Sequence, residues 1–238
     1  IALILLGGVN YYTGQLFEIE KITKASHKKG CIVGYDLAHA AGNALLKLHD
    51  WNVDFACWCS YKYLNSGPGG TAGCFVHERF ANDNTLPRFA GWWGHDKASR
   101  FKMGPDFMPI PGAEGWQVSN PSIFAMAATK ASLDIFEEAG MEKLRAKSVQ
   151  LTGYLEYLLD GMDQRNFKII TPRNPEERGC QISIRMLKNG RRVFEALAAG
   201  GIVCDWREPD CIRIAPVPLY NSYMDVFTFA KIFRESLA

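Results

Sequence analysis

The chain has 238 residues, of which 47% are hydrophobic and 22% are charged, and its formal net charge is +2. These values are typical of a folded globular protein, and the near-neutral charge disfavours nucleic acid or an anionic membrane as the main partner. No apolar run reaches the ~18 residues that a membrane span needs. Seven cysteines without a C-x-x-C pair indicate a reducing compartment, so we expect a cytoplasmic protein.

Strand-like and helical segments alternate in the first part of the chain. The apolar run 1–6 predicts a buried parallel strand, and because it lacks an initiator methionine we expect a fragment that begins inside a domain. Helical spacing over 18–29 precedes a strand ending at Asp36, a short helical piece near 40–48 and a strand ending before Lys62. This order predicts right-handed crossovers and a parallel sheet covered on both faces.

The remainder predicts one more strand, a long loop and a second domain. Residues 70–76 follow closely enough to form an antiparallel strand, and 86–115 is a loop rich in Gly, Pro and Trp. Ser222 and Asp225 are spaced as a capping box before the last helix. We expect an α/β fold with a large domain in 1–138 and a small α+β domain in 139–238. Further helices are expected near 121–136, 141–158 and 191–199, with strands near 167–171, 181–186, 202–206 and 211–215.

A lysine and a carboxylate fall at the ends of two successive apolar runs. Lys62 follows the run 53–59 and precedes a glycine-rich turn at 67–70, while Asp36 ends the run 31–35. Open α/β sheets bind ligands at the carboxyl ends of their strands. An aldehyde cofactor with a ring nitrogen needs a lysine for a Schiff base and an acid for the nitrogen. The pair therefore indicates a pyridoxal-phosphate enzyme.

Each residue near this pair also has a structural interpretation. Lys62 alone is compatible with a solvated lysine, and Asp36 with a helix N-cap. His39 either faces the cofactor or has a structural role. Strand-end geometry directs Tyr61 and Tyr63 away from Lys62, although the Tyr61 hydroxyl could donate to a phosphate. The joint arrangement, rather than any single residue, favours a cofactor site.

Longer stretches resemble the kynureninase family. The resemblance runs from Ile1 to the C-terminal helix, whereas Lys62 with the motif Asp36-Leu37-Ala38-His39 alone would indicate only the class V aminotransferase-like superfamily. The stretches that carry it are 11–15, 35–40, 54–65, 91–95, 119–121 and 212–222.

The resemblance implies pyridoxal-phosphate fold type I, a homodimer, and hydrolysis of 3-hydroxy-L-kynurenine or L-kynurenine. The products would be 3-hydroxyanthranilate or anthranilate plus L-alanine, in tryptophan catabolism and de novo NAD biosynthesis. It further implies that Lys62 binds the cofactor and moves protons at the substrate α-carbon, while Asp36 pairs with the ring nitrogen. His39 would lie against the cofactor, and Tyr61 would bind its phosphate and serve in proton transfer.

Three further residues acquire roles through the resemblance. Trp92 and Asn120 match residues that reach the cofactor phosphate region across the dimer interface, and Asn120 also lies near the substrate ring, which favours the 3-hydroxylated substrate. Arg213 matches the arginine that clamps the substrate carboxylate, a task that suits a planar bidentate group. From the residues alone, the three are a loop aromatic, a turn residue before proline and an arginine that could face solvent.

Three alternatives stay open. A desulfurase or aminotransferase of the same superfamily is one, although no cysteine lies in an obvious long exposed loop. A non-catalytic truncated product is the second. Because the family builds its phosphate cup and stacking aromatic from residues that precede this segment, we expect the 238 residues alone to hold the cofactor poorly. The third is a metal-dependent hydrolase, disfavoured by irregular ligand spacing, that would use Asp36, His39, His49, Asp50 and Asp54; we expect no metal.

Overall fold

The computed structural model describes residues 1–237, and the chain divides into two compact units. The first unit comprises Ile1–Gly7, Glu18–Ala41 and Leu46–Asp134, and the second comprises Gly8–Phe17, Gly42–Leu45 and the chain from Ile135 onward. Two early segments thus group with the C-terminal part. The division into domains at residue 139 stays a prediction.

The first unit is built around a four-stranded sheet. Its strands are β1 (Leu3–Gly7), β2 (Ile32–Asp36), β3 (Phe55–Trp58) and β4 (Gly73–Val76), in that spatial order. β1, β2 and β3 are parallel, and β4 pairs antiparallel with β3. Helix α1 (Ile19–His27) connects β1 to β2. The mainly parallel sheet and its antiparallel fourth strand are therefore as predicted.

The two faces of this sheet differ in burial. On one face Val33 and Tyr35 are fully buried, and the Tyr35 hydroxyl donates to the carbonyl of Ile19 in α1 at 3.2 Å. On the other face Leu3 and Leu5 are 50% and 56% exposed. Because the described residues leave this second face open, the expectation of a sheet covered on both faces is wrong for this chain.

The connection from β2 to β3 also differs from its prediction. Residues 40–48 form turns rather than a helix. Gly42 has a φ of +76°, which lies outside the right-handed helical region and interrupts any helix at that point. The mostly small residues Ala40 to Asn43 suggested a helix, but the backbone conformation at Gly42 ends it before one turn is complete.

A long loop region precedes helix α2 (Ile123–Ala139). Between residues 86 and 120 the regular structure consists of short 3₁₀ turns at Arg100–Lys102 and Gly112–Trp116, as the sequence predicted. The start of α2 is strongly exposed, with Ile123 at 81% and Phe124 at 90%. This part of the first unit therefore presents apolar side chains to solvent.

The second unit contains an antiparallel sheet in the order β5-β6-β8-β7 and three helices. The strands are β5 (Phe167–Ile169), β6 (Ile182–Met186), β7 (Asp205–Arg207) and β8 (Cys211–Ile214). The helices are α3 (Met141–Asp160), α4 (Gly190–Ala199) and α5 (Tyr223–Ser236). Their common core includes fully buried side chains from helices and strands alike, among them Leu151, Leu159, Ile182, Ile184, Leu197, Ile212 and Phe233. The expected α+β architecture of this part is confirmed.

Two polar features stabilise the second unit. The side chain of Ser222 accepts the N–H of Asp225 at 3.3 Å, and the Asp225 carboxylate accepts the N–H of Ser222 at 2.7 Å, which is the predicted capping box. Arg178, 2% exposed, donates from Nη1 and Nη2 to the two carboxylate oxygens of Glu156 at 2.7 and 2.6 Å.

Among residues 1–237, no helix is long and apolar enough to cross a membrane.

Candidate functional site

Asp36 and the loop that carries Lys62 lie at the same edge of the first sheet. Asp36 is the last residue of β2, and its register partner in β3 is Cys57. The Leu37 N–H donates to the Cys57 carbonyl at 2.8 Å, which extends the pairing to the strand end. Since β2 and β3 are parallel, their carboxyl ends meet at one edge, where open sheets bind ligands.

Small buried hydroxyls hold the Lys62 loop. The Ser60 and Ser66 hydroxyl oxygens lie 2.6 Å apart, and the Ser66 N–H donates to the Ser60 carbonyl at 3.1 Å. A Cβ on Gly70 would lie 1.9 Å from the Ser66 hydroxyl, so this position requires glycine. The Ser132 hydroxyl of α2 also donates to the carbonyl of Leu64. No sequence pattern predicts a role for these serines, although Ser60 and Ser66 bracket the lysine just before the glycine-rich turn.

The Lys62 amine lies beside the Tyr61 ring. Lys62 is partly buried, its Nζ is 5.5 Å from the centroid of that ring, and within residues 1–237 it forms no ion pair. The expectation that Tyr61 points away from Lys62 is wrong. β3 ends at Trp58, so residues 60–62 form a bend in which strand alternation no longer applies.

A ring contact joins the segment after Asp36 to the segment after Lys62. The rings of His39 and Tyr63 are edge to face, with centroids 6.2 Å apart. Asp36 is exposed, and its Oδ1 accepts the Ala38 N–H at 2.9 Å, as an N-cap residue would. Asp36 Oδ2 accepts no hydrogen bond from the residues described. The structure thus brings Asp36, His39, Tyr61 and Lys62 to one region.

Trp92 and Asn120 lie in the long loop region. Trp92 packs on Trp93 and Phe101, with ring centroids 5.4 and 5.9 Å apart, and is 46% exposed. Asn120 is exposed and accepts a hydrogen bond from Ser119 at 3.3 Å. In the part of the chain that the structure describes, no hydrogen bond or ring contact joins either residue to Lys62. Their predicted roles across a dimer interface stay predictions.

Arg213 belongs to the second unit and does not face solvent. Its side chain is 11% exposed, and its Nε donates to Asp205 Oδ2 at 2.9 Å. Nη2 also donates to Asp205 Oδ2, and Nη1 donates to the carbonyl of Tyr11 at 2.5 Å. Asp205 is the register partner of Arg213 on β7, a contact that depends on strand pairing and that no sequence pattern predicts.

The carboxylates and histidines of the metal-hydrolase alternative do not converge. His49 lies near Glu78 (3.2 Å) and Asp50 (3.5 Å), and its hydrogen bond to the Glu78 carboxylate, followed by that to Asp50, raises the pKa of His49. Asp54 instead forms hydrogen bonds with the His27 ring, at 2.8 Å, and with the guanidinium of Arg79. Among the residues described, no group of three His, Cys, Asp or Glu side chains could hold a metal ion.

Sequence comparisons identify relatives of the whole chain. Residues 144–233 match the family model of the kynureninase C-terminal domain. Kynureninases of Koribacter versatilis and Flavobacterium psychrophilum are 63% and 56% identical to this chain over 237 and 240 residues, respectively. The kynureninase resemblance is confirmed. These matches cover 100% of this chain and 56% of each relative, so the chain spans little more than half the length of the curated kynureninases it matches.

Solved structures share the fold at low sequence identity. A cysteine desulfurase of Thermococcus onnurineus NA1 has a TM-score of 0.79 at 20% identity, covering 98% of this chain and 59% of that chain. One from Escherichia coli has a TM-score of 0.81 at 16% identity, covering 99% and 59%. A C-DES variant with glycine covalently linked to its PLP cofactor has a TM-score of 0.77 at 18% identity, covering 98% and 60%. The predicted fold class, α/β of the type found in pyridoxal-phosphate enzymes, is confirmed.

Proposed function

We propose that the chain carries the cofactor lysine of a kynureninase, which hydrolyses 3-hydroxy-L-kynurenine and L-kynurenine. The products are 3-hydroxyanthranilate or anthranilate and L-alanine. The observation that carries the proposal is the 63% identity to a kynureninase along 237 residues, a span that includes every candidate site residue. A fold shared with desulfurases at 16–20% identity does not by itself distinguish these chemistries.

The residues at the edge of the first sheet fit pyridoxal phosphate. Lys62 supplies the amine that would attack the cofactor aldehyde, and it forms no ion pair with the residues described. Asp36 keeps Oδ2 available for a protonated ring nitrogen. His39, which contacts the Tyr63 ring, supplies a flat side chain that would lie beside the cofactor ring. When bound, the cofactor supplies an electron sink for bonds at the substrate α-carbon.

The protein side chains bind, orient and move protons around this centre. Lys62 would hold the cofactor through its aldehyde group before substrate binds and would afterwards take the proton of the substrate α-carbon. Tyr61 would donate its hydroxyl to the cofactor phosphate and pass protons. Arg213 binds the substrate carboxylate in two-point fashion, and Asp205 fixes the plane of its guanidinium through Nε.

The proposed enzyme is a homodimer of the cytoplasm that acts in tryptophan catabolism and de novo NAD biosynthesis. Seven free cysteines favour the reducing compartment. Trp92 and Asn120 reach the phosphate region and the substrate ring of the other subunit. The exposed apolar side chains of Trp92, Phe101, Ile123 and Phe124 are suited to burial in such an interface. Sedimentation equilibrium should give twice the chain mass, and a monomer at micromolar concentration would contradict the dimer.

Borohydride trapping tests the cofactor site directly. The chain is incubated with pyridoxal phosphate, reduced with borohydride and digested, and the modified lysine is located by mass spectrometry. We expect label on Lys62, loss of that label in Lys62→Ala, and unchanged label in Lys29→Ala, which removes an exposed lysine of the same unit. Label spread over surface lysines, with Lys62 unmodified, would contradict the assignment.

Product analysis then tests the reaction class. A kynureninase releases alanine from kynurenine or 3-hydroxykynurenine without an α-keto acid, whereas an aminotransferase needs one and a desulfurase releases sulfur from cysteine. Because these 238 residues are expected to hold the cofactor poorly, we expect slow alanine release from both substrates, faster from the 3-hydroxylated one, and none with Lys62→Ala. Equal alanine release by Lys62→Ala and the parent chain would refute the mechanism, and no release by the parent chain would refute activity of this chain.

A further inference from the structure

Two of the seven cysteines stand apart from the rest. Cys57 in β3 and Cys74 in β4 are exposed, whereas the others are buried or partly buried. These two are also direct register partners across the antiparallel pair. Directly opposed residues of adjacent strands project from the same face of the sheet, so their thiols share one surface. The chemistry proposed above uses neither of them.

The backbone pairing brings these side chains close together. The Cys57 carbonyl accepts the Leu37 N–H at 2.8 Å, so the Cys57 peptide groups point toward β2 and away from β4. Relative to β4, Cys57 and Cys74 therefore form a non-hydrogen-bonded pair. In such pairs the Cα atoms are about 4.5 Å apart, the closer of the two antiparallel spacings. A disulfide needs a Cα separation of about 4.4 to 6.8 Å, so the strands can accept this crosslink without moving apart.

We propose that Cys57 and Cys74 form an oxidisable dithiol, a modification site that closes to a cross-strand disulfide with the two-electron oxidant hydrogen peroxide. One thiolate attacks the peroxide oxygen, the O–O bond breaks, and a sulfenic acid and one water form. The second thiol then attacks the sulfenic sulfur, the S–O bond breaks, and a second water leaves. In total the two thiols lose two electrons and two protons, and the peroxide is reduced to water.

The surroundings of the pair set the pH dependence of the reaction. Although both residues are exposed as a whole, partial desolvation of their sulfur atoms by neighbouring groups raises the pKa of both thiols, and the carboxylate of Asp36 raises that of Cys57 further. Because the thiolate is the reacting species, oxidation is slow at neutral pH and accelerates as the pH rises.

The test is a mapping of thiols in the 238-residue chain. The chain is treated with hydrogen peroxide in slightly alkaline buffer, free thiols are blocked, and the digest is analysed by mass spectrometry without reduction. We expect loss of two of the seven thiols and a crosslinked peptide that joins Cys57 to Cys74. Cys57→Ser and Cys74→Ser should each abolish that peptide, whereas Cys59→Ser, which removes the thiol two positions away, should leave it unchanged.

Several results would overturn the proposal. A link between Cys57 and Cys59, or single-site sulfinic acids with no crosslink, would show that the opposed thiols do not react together. Circular dichroism of each variant ensures that loss of the link does not reflect an unfolded sheet, and if Cys57→Ser unfolds, Cys57→Ala replaces it. Because the thiol mapping needs no pyridoxal phosphate, a negative result would contradict the dithiol proposal without bearing on the function proposed above.

Discussion

The two units of the chain stabilise their sheets by different means. The second unit surrounds its antiparallel sheet with a continuous apolar core, in which Ile182, Leu197 and Phe233 are fully buried. The first unit covers one face of its sheet and leaves Leu3 and Leu5 of the other face half-exposed. The second unit therefore resembles a domain that folds through its own core, whereas the first buries apolar side chains such as Val33 and Tyr35 on one face of its sheet only.

Removal of a core side chain should give the largest difference in stability between the two units. Phe233→Ala deletes a side chain with no exposed surface that packs on Phe167 and Phe229, so we expect a loss of about 3 to 5 kcal/mol in unfolding free energy. Phe124→Ala, at a site 90% exposed in the first unit, should leave stability nearly unchanged. Urea denaturation measures both, and hydrogen exchange of β6 amides assigns the loss. Equal effects of the two variants would contradict the contrast.

The buried ion pair of the second unit should be nearly as sensitive. Arg178→Met leaves the Glu156 carboxylate buried without its bidentate partner, which costs about 3 to 5 kcal/mol. Arg165→Met, which breaks the exposed pair with Asp163, serves as the control and should not shift the urea midpoint. A stable Arg178→Met variant would mean that Glu156 finds another partner or is neutralised.

In the first unit the corresponding test is Asp54. Burial raises its pKa, but hydrogen bonds from His27, Arg79 and the Val33 N–H together lower it below the ordinary value of 3.8. A carboxylate with a lowered folded pKa adds stability above its unfolded pKa and loses it as the pH falls through the folded value. We therefore expect Asp54→Asn to lose about 1.5 to 3 kcal/mol at pH 7 and the difference from the parent chain to shrink below pH 3.8.

The control for this variant is Asp106→Asn, which changes an exposed carboxylate of the same unit. Its urea midpoint should follow that of the parent chain at every pH. A difference between Asp54→Asn and the parent chain that stays constant through the acid range would show that the Asp54 charge is not what stabilises the contact among α1, β2 and the end of β4.

Helix capping gives the smallest expected difference. Ser222→Ala removes the side chain that accepts the Asp225 N–H, so α5 should lose about 1 kcal/mol. The N-cap of α1, Glu18, makes no side-chain capping bond, so Glu18→Ala should change thermal stability less than Ser222→Ala does. Thermal melts of both variants measure the difference, and a reversed order would contradict the assigned caps.

Local sequence patterns were sufficient for most of the fold. Apolar runs predicted the strands that end at Asp36 and before Lys62, and the spacing of Ser222 and Asp225 predicted the final cap. The turn at 40–48 was missed because helix-forming alanines there are overruled by one backbone angle at Gly42. The orientation of the Tyr61 side chain was predicted wrongly for a related reason. The alternation of side chains along a strand no longer applies there, since β3 has already ended at Trp58.

The candidate site was less accessible to sequence reasoning than the strands that support it. Placing Asp36 and Lys62 at one sheet edge follows from strand order, which apolar runs reveal. The partnership of Asp205 with Arg213 depends on the register between β7 and β8, and the bond between the Ser60 and Ser66 hydroxyls depends on how a loop closes. Neither leaves a periodic signal, because both arise from contacts made after the local elements have formed.

Strand β1 has a practical consequence for work with the chain. It is the outermost strand of its sheet, so one row of its backbone N–H and C=O groups faces outward, next to the exposed Leu3 and Leu5 side chains. An open strand edge beside an apolar surface is a template on which further strands can add. Aggregation should therefore increase steeply with protein concentration. Light scattering should detect it first under conditions that weaken charge repulsion between molecules. A Lys substitution at Leu5 should delay that onset.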